Sequence, residues 1–140
     1  MSQQHETHNK RLKLLRAAIA DAGLHGWIIG REDMYQGEEV PAGDERLAYL
    51  SGFTGSAGFA VVLADRAGLF SDGRYSLQMA AQTDPAIWQC CTLPDTTFED
   101  WLKTVTLPEA AVIGVDGRLI TVSLFRRMER AVLAAGANLV

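Results

Sequence analysis

The stretch Asp44–Gln78 reads DERLAYLSGFTGSAGFAVVLADRAGLFSDGRYSLQ. Two apolar runs within it, Phe59–Ala64 and Gly68–Phe70, have the composition of neighbouring strands joined by Asp65-Arg66-Ala67, and an antiparallel hairpin is expected there. A Gly-rich run, Ser51-Gly52-Phe53-Thr54-Gly55-Ser56-Ala57-Gly58, precedes the hairpin, and Ser71-Asp72-Gly73-Arg74-Tyr75 follows it. Closely spaced glycines permit φ > 0 and the close approach of another segment. Phe53 in that run is either presented outward or folded beneath it. In the second loop Asp72 and Gly73 suit a tight turn, and Asp72 can cap a following helix. Arg74 carries a rigid fork suited to a carboxylate. It has two readings: a structural pair with Asp72, Asp44 or Glu45, or a contact with a partner subunit or a peptide substrate.

Outward from the hairpin, the pattern alternates between helix and strand. Leu12, Leu15, Ile19 and Ala22 step by three and four, so a helix is expected from Asn9, after a loose tail over residues 1–8, with Gly23 as its stop. Gly26-Trp27-Ile28-Ile29-Gly30 reads as a short buried strand. Arg31–Asp44 holds five acidic residues, Pro41 and no periodicity; it is a long loop, either functional or a surface excursion. Glu45–Leu50 fits a helical turn or a strand. Tyr75–Gln82 has helical composition, and Ile87–Thr92 looks like a strand. Thr96-x-x-Glu99 matches a capping box, which predicts a helix over 97–105. Ala111–Val115 is a continuous apolar strand of the kind buried on both faces. Thr121 is placed to cap a last helix carrying Val122, Phe125, Met128 or Glu129, and Val132, with Gly136 at its end. Ala137–Val140 resembles the start of another strand, which points to truncation at a domain boundary. Strands alternating with helices imply a layered α/β fold, and the hairpin makes its sheet mixed.

Composition narrows the function. A chain of 140 residues, 48% hydrophobic and 21% charged, suits one soluble domain over 9–140 with its own core. The net charge of −4 comes without a basic stripe and argues against nucleic acid or an anionic membrane as partner. Met1–Asn9 lacks the apolar centre of a secretory signal, and no run approaches the ~20 apolar residues of a membrane span, so a cytoplasmic protein is expected. The two cysteines, Cys90 and Cys91, are adjacent; on a strand they face opposite ways and cannot readily bridge. They read as small apolar residues in a reducing compartment, with a reactive thiol as the minor alternative.

Several chemistries fail on inspection. The Gly-rich run lacks the Gly-Lys-Ser/Thr ending of a phosphate loop and leads into a strand rather than a helix N-terminus. Gly55-Ser56-Ala57-Gly58 is not a nucleophile elbow, and the three histidines, His5, His8 and His25, offer Ser56 no base. His5-Glu6-Thr7-His8 is one residue short of a zincin pair. Glu32, Asp33, Glu38, Glu39 and Asp44 come without a histidine and read as a solvated loop rather than a dinuclear metal site.

Asp44-Glu45-Arg46, Tyr49 to Gly58, Asp72-Gly73-Arg74-Tyr75, Gln78-x-x-x-Gln82-x-Asp84, Glu99-Asp100-Trp101-Leu102 and Ile113-Gly114-Val115-Asp116 together resemble, in order, the N-terminal domain of Xaa-Pro aminopeptidases. These are pita-bread metallopeptidases of the creatinase/prolidase family, and the likeness is to the long, three-domain type over roughly residues 11–140. The resemblance implies a three-layer α/β/α domain with a mixed sheet. It implies a hydrolase that removes the N-terminal residue from peptides with proline second, using two divalent metals, commonly manganese, in a C-terminal domain. Its metal ligands map to no position here, so the chain itself is expected to be inactive and to carry no catalytic residue. The resemblance further implies a homodimer of the full enzyme and a role for this domain over the active-site mouth, with Phe53, Thr54, Ser56, Arg74 and Tyr75 as substrate-proximal or interface candidates. Tyr35 stands where many relatives carry His, Ser76 where an aromatic often follows Tyr75, and Phe70-Ser71 where Trp-Thr is common. A free-standing binding or dimerisation module, or the same domain of a prolidase or creatinase, are the alternatives.

Overall fold

The computed structural model describes residues 3–30, 46–54, 58–115 and 122–140. The elements run α1 (Gln3–Asp21), β1 (Gly26–Gly30), α2 (Arg46–Ser51), β2 (Phe59–Leu63), β3 (Ala67–Asp72), a 3-10 turn (Gly73–Tyr75), α3 (Ser76–Gln82), β4 (Trp88–Leu93), α4 (Phe98–Leu102), β5 (Val112–Val115), α5 (Val122–Ala134) and β6 (Asn138–Leu139). The strands form one sheet in the order β4-β3-β2-β1-β5-β6. β2 is antiparallel to both β1 and β3, while β1–β5, β5–β6 and β3–β4 are parallel. Five strands therefore run one way and β2 alone runs back.

Helices cover both faces, which gives the expected three-layer α/β/α arrangement with a mixed sheet. The side chains of β2 show why. Val61 and Leu63 join Ile28, Phe70, Ile113, Phe98, Trp101 and Met128 on the α4/α5 side. Ala60 and Val62 join Leu12, Ile19, Leu47, Phe53, Leu69 and Met79 on the α1–α3 side. A strand apolar at successive positions is one buried on both faces.

The hairpin expected from Asp44–Gln78 is present, with Phe59 opposite Phe70 and Val62 opposite Ala67. Its turn is 64–66, closed by the Leu63 N–H donating to the Arg66 carbonyl (2.8 Å); Ala67 is already in β3 and buried. Of Glu45–Leu50, open between helix and strand, residues 46–50 lie in the helix α2, and Glu45 is outside the described residues. The segment expected to be a loose tail is helical from Gln3. Tertiary bonds hold that first stretch: the His8 Nδ1–H donates to the Tyr49 carbonyl (3.0 Å) and the Asn9 amide donates to Asp84 Oδ2 (3.0 Å). Leu12 and Ile19 of the expected stripe are buried, and Ala22 lies exposed beyond the helix end.

The capping box of α4 sits one residue later than expected. Thr97 and Asp100, not Thr96 and Glu99, exchange the two bonds, at 3.1 and 3.3 Å. This start places Phe98, Trp101 and Leu102 at i, i+3 and i+4, all facing the core, and the helix ends at Leu102 rather than 105. Thr121 and the whole of Arg31–Asp44, expected as a loop, lie outside the described residues. On β4, Cys91 is buried and Cys90 exposed, facing opposite ways as expected, and both are free thiols. Burial, with the neighbouring Cys90 second, pushes the Cys91 thiol up to about 11, so it packs as a small apolar group.

Candidate functional site

Because five strands are co-directional, the ends of β1 (Gly30), β3 (Asp72), β4 (Leu93) and β5 (Val115) share one edge of the sheet with the start of β2 (Phe59). In open α/β sheets the carboxyl edge is where ligands are received. The two loops singled out by sequence meet there.

The second loop is built by Asp72. Its backbone is extended (φ −84°, ψ 173°), and Oδ1 accepts from the Arg74 N–H at 2.9 Å, which opens the 3-10 turn. The same carboxylate takes the Arg74 fork, Nε to Oδ1 at 3.1 Å and Nη2 to Oδ2 at 2.8 Å. Hydrogen bonding from Arg74 holds the Asp72 carboxyl below the ordinary carboxylate range, and Asp72 in turn raises Arg74. Of the partners considered for Arg74, Asp72 is the one the structure places; Asp44 and Glu45 lie outside the described residues. Arg74 remains 70% exposed, so its guanidinium is oriented by Asp72 yet presented to solvent, 5.1 Å from the Tyr75 ring centre.

The first loop descends from α2. Ser51 is buried, with its hydroxyl donating to the Leu47 carbonyl (2.7 Å) and accepting from the Phe53 N–H (3.1 Å). Phe53 is folded beneath the loop, 1% exposed, rather than presented outward. Its ring meets Tyr75 edge-on at 5.9 Å, and this contact joins the two loops. Gly52 makes the descent possible: it sits at φ +88°, and a Cβ there would lie 2.8 Å from the Gln82 carbonyl oxygen.

Thr54 is exposed at the rim and is held by α3. Its N–H donates to Gln82 Oε1 (3.0 Å), and its Oγ1 accepts from Gln82 Nε2 (3.0 Å) and Gln78 Nε2 (3.2 Å). Gln78 Nε2 also donates to Gln82 Oε1 (3.2 Å). Just beyond α3, Asp84 is buried; the Asn9 amide and the Ala86 N–H hold its carboxyl below the ordinary range. Phe53, Thr54, Arg74 and Tyr75 are thus neighbours or share a neighbour, while Ser56 lies outside the described residues. Gln78 and Gln82 were given no role from sequence, although their i, i+4 spacing on one helix face was a legible signal.

Among the described residues, no group of three or more His, Cys, Asp or Glu is placed to hold a metal ion. The described side chains do not fit a dinuclear centre. His25 lies at the opposite edge of the sheet, where its Nδ1 accepts from the Val112 N–H (3.0 Å). Among the described residues, no helix is long and apolar enough to cross a membrane.

A mixed six-stranded sheet with both loops at its carboxyl edge defines the class, and residues 11–140 match the family model of the creatinase/prolidase N-terminal domain. The chain belongs to that family. It is 40% identical over 116 residues to a probable Xaa-Pro aminopeptidase P from Coprinopsis cinerea, covering 81% of this chain and 18% of that protein. In structure it resembles the X-prolyl aminopeptidase of Caenorhabditis elegans, described as a cytosolic enzyme with a di-nuclear active site, with a TM-score of 0.81, 30% identity, and coverage of 96% of this chain and 24% of that one. It also resembles the N-terminal domain of the cytoplasmic peptidase PepQ from Mycobacterium tuberculosis, with a TM-score of 0.67, 27% identity, and coverage of 94% and 91%. The chain thus spans about a fifth of the length of the curated Xaa-Pro aminopeptidases it matches and corresponds to their N-terminal part.

Proposed function

We propose that this chain is the non-catalytic N-terminal domain of a metal-dependent Xaa-Pro aminopeptidase, a hydrolase that removes the first residue from peptides with proline second. The observation that carries this reading is the match to the Xaa-Pro aminopeptidase P relative, 40% identical over 81% of this chain but only 18% of that protein. In this reading two divalent metals, manganese in kind, belong to a catalytic domain outside these residues. The carboxyl-edge loops act by position: Arg74 set by Asp72, and Thr54 set by α3, stand where an incoming peptide is oriented and water is displaced. The same domain contributes to a cytoplasmic homodimer.

The test compares the 140-residue chain with the product of its complete reading frame, on an Xaa-Pro peptide with and without added manganese. The expected result is manganese-dependent release of the first residue by the longer product alone. Release by the 140-residue chain, or an inert full product ending near Val140, overturns the reading; the second outcome leaves a free-standing binding module.

A further inference from the structure

We infer that the Thr54 hydroxyl is a preset hydrogen-bond donor to a carbonyl oxygen of the peptide, with Gln78 and Gln82 as the residues that position it. This deepens the aminopeptidase reading and rests on it.

The assignment follows from counting donors and acceptors. The Thr54 backbone N–H can only donate, so the atom of Gln82 that meets it at 3.0 Å has to be the carbonyl oxygen. That choice turns Gln82 Nε2 toward Thr54 Oγ1 (3.0 Å). Gln82 Oε1 also receives Gln78 Nε2 at 3.2 Å, which fills its second lone pair and fixes the Gln78 amide as well. The second hydrogen of Gln78 Nε2 then goes to Thr54 Oγ1 (3.2 Å). Both lone pairs of the Thr54 hydroxyl are thereby occupied by amide hydrogens, and its own hydrogen is directed at Gln82 Oε1 over a long 3.4 Å contact. That contact is longer than a good O–H···O bond and its oxygen already takes two N–H groups, so the hydrogen is available to a better acceptor.

An exposed hydroxyl in this state donates and does not accept. The peptide bond before proline has the matching chemistry: it offers a carbonyl oxygen and has no N–H. The surroundings keep the group in place, because Phe53 is buried against Tyr75 on one side and Gly52 lies against the end of α3 on the other.

The experiment uses the product of the complete reading frame and an Xaa-Pro peptide. Thr54→Val is expected to raise KM on the order of tenfold with kcat within about twofold, as loss of one binding hydrogen bond requires. Thr54→Ser, which keeps the hydroxyl, is expected to restore the wild-type KM. Gln82→Met is expected to raise KM similarly, and the double variant with Thr54→Val to add little further, because both remove the same donor. An unchanged KM in Thr54→Val, or no rescue by Ser, overturns the inference. A fall in kcat at constant KM also overturns it, since that marks a merely structural loss of active protein. If the wild-type product cleaves no Xaa-Pro peptide, the aminopeptidase reading and the ligand named here both fall. The amide arrangement is then judged on the 140-residue chain by hydrogen exchange. Slow exchange at the Thr54 N–H, lost in Gln82→Met, upholds the preset hydroxyl, and free exchange in the wild type overturns it.

Discussion

The face of the sheet under α4 and α5 is filled by rings, whereas the face under α1, α2 and α3 is tied by polar side chains reaching from one element to another. On the first face Phe59 stacks on Phe70 at 4.7 Å, Phe98 meets both edge-on, and Trp101 meets Phe70 at 5.8 Å. Trp101 is fully buried, and its one polar group is satisfied by Gln89 Oε1 at 2.8 Å. Arg66 closes the edge, donating to Gln89 and to the Thr104 carbonyl. On the second face His8 and Arg11 both donate to the Tyr49 carbonyl, Asn9 reaches Asp84, and Gln78 with Gln82 reach Thr54. Rings gain from shape and area, so they hold the sheet strongly without fixing any one loop atom. Hydrogen bonds contribute less each, but they set positions, and they sit on the face whose loops carry the candidate site.

If that contrast is right, the largest loss of stability comes from the ring face. Trp101→Ala is expected to destabilise the chain by about 3–5 kcal/mol in urea unfolding, through lost burial and the cavity left behind. A loss below ~1 kcal/mol would break the comparison. Gly68→Ala attacks the same packing from the sheet side: its Cβ would lie 2.9 Å from Phe70 Cε1 and 3.0 Å from the Trp101 ring. About 2 kcal/mol is expected by the same measurement, as for other overpacked cores.

On the polar face the effects are smaller and local. Gly52→Ala meets both the positive φ and the Gln82 carbonyl, and ~1–2 kcal/mol is expected, together with faster hydrogen exchange at Thr54 than at β2. For Asp84 the sign is set by its lowered folded value. Its contribution is fully present above the ordinary carboxyl value of 3.8 and is lost as pH falls through the lower folded value. Urea midpoints followed from about pH 6 to about pH 2 should fall less steeply in Asp84→Asn than in the wild type. Parallel curves would remove Asp84 from the ties between α1 and α3. The smallest effect is at Arg74. Its pair with Asp72 is two residues apart and solvent-screened, so Arg74→Ala should leave the thermal midpoint unchanged. A clear drop would move Arg74 from the presented loop to the framework.

The hairpin and the strands Gly26–Gly30 and Ala111–Val115 were legible because burial on two faces demands continuous apolar runs, whatever their neighbours. The helical start of the chain was not. Residues 3–8 are polar, and α1 extends through them with His8 and Asn9 bonded to partners 41 and 75 positions away in the chain. The α4 cap slipped by one residue for a related reason. Thr96-x-x-Glu99 and Thr97-x-x-Asp100 are equivalent locally, and only the burial of Phe98 and Trp101 selects the second. At the site, the Asp72–Arg74 pair could be read from a two-residue spacing. The orientation of Thr54 could not, because it depends on Gln82, 28 residues on.

The sequence by itself determined the alternation of elements, the mixed sheet and the two loops that mark the family, since each is written in local periodicity, turn chemistry or a contiguous motif. Only the tertiary structure decided that Phe53 lies under its loop against Tyr75, that Arg74 takes Asp72, and that two glutamines of α3 orient Thr54. A side chain's partner is chosen by what folding brings within about 3 Å, and spacing along the chain does not carry that information.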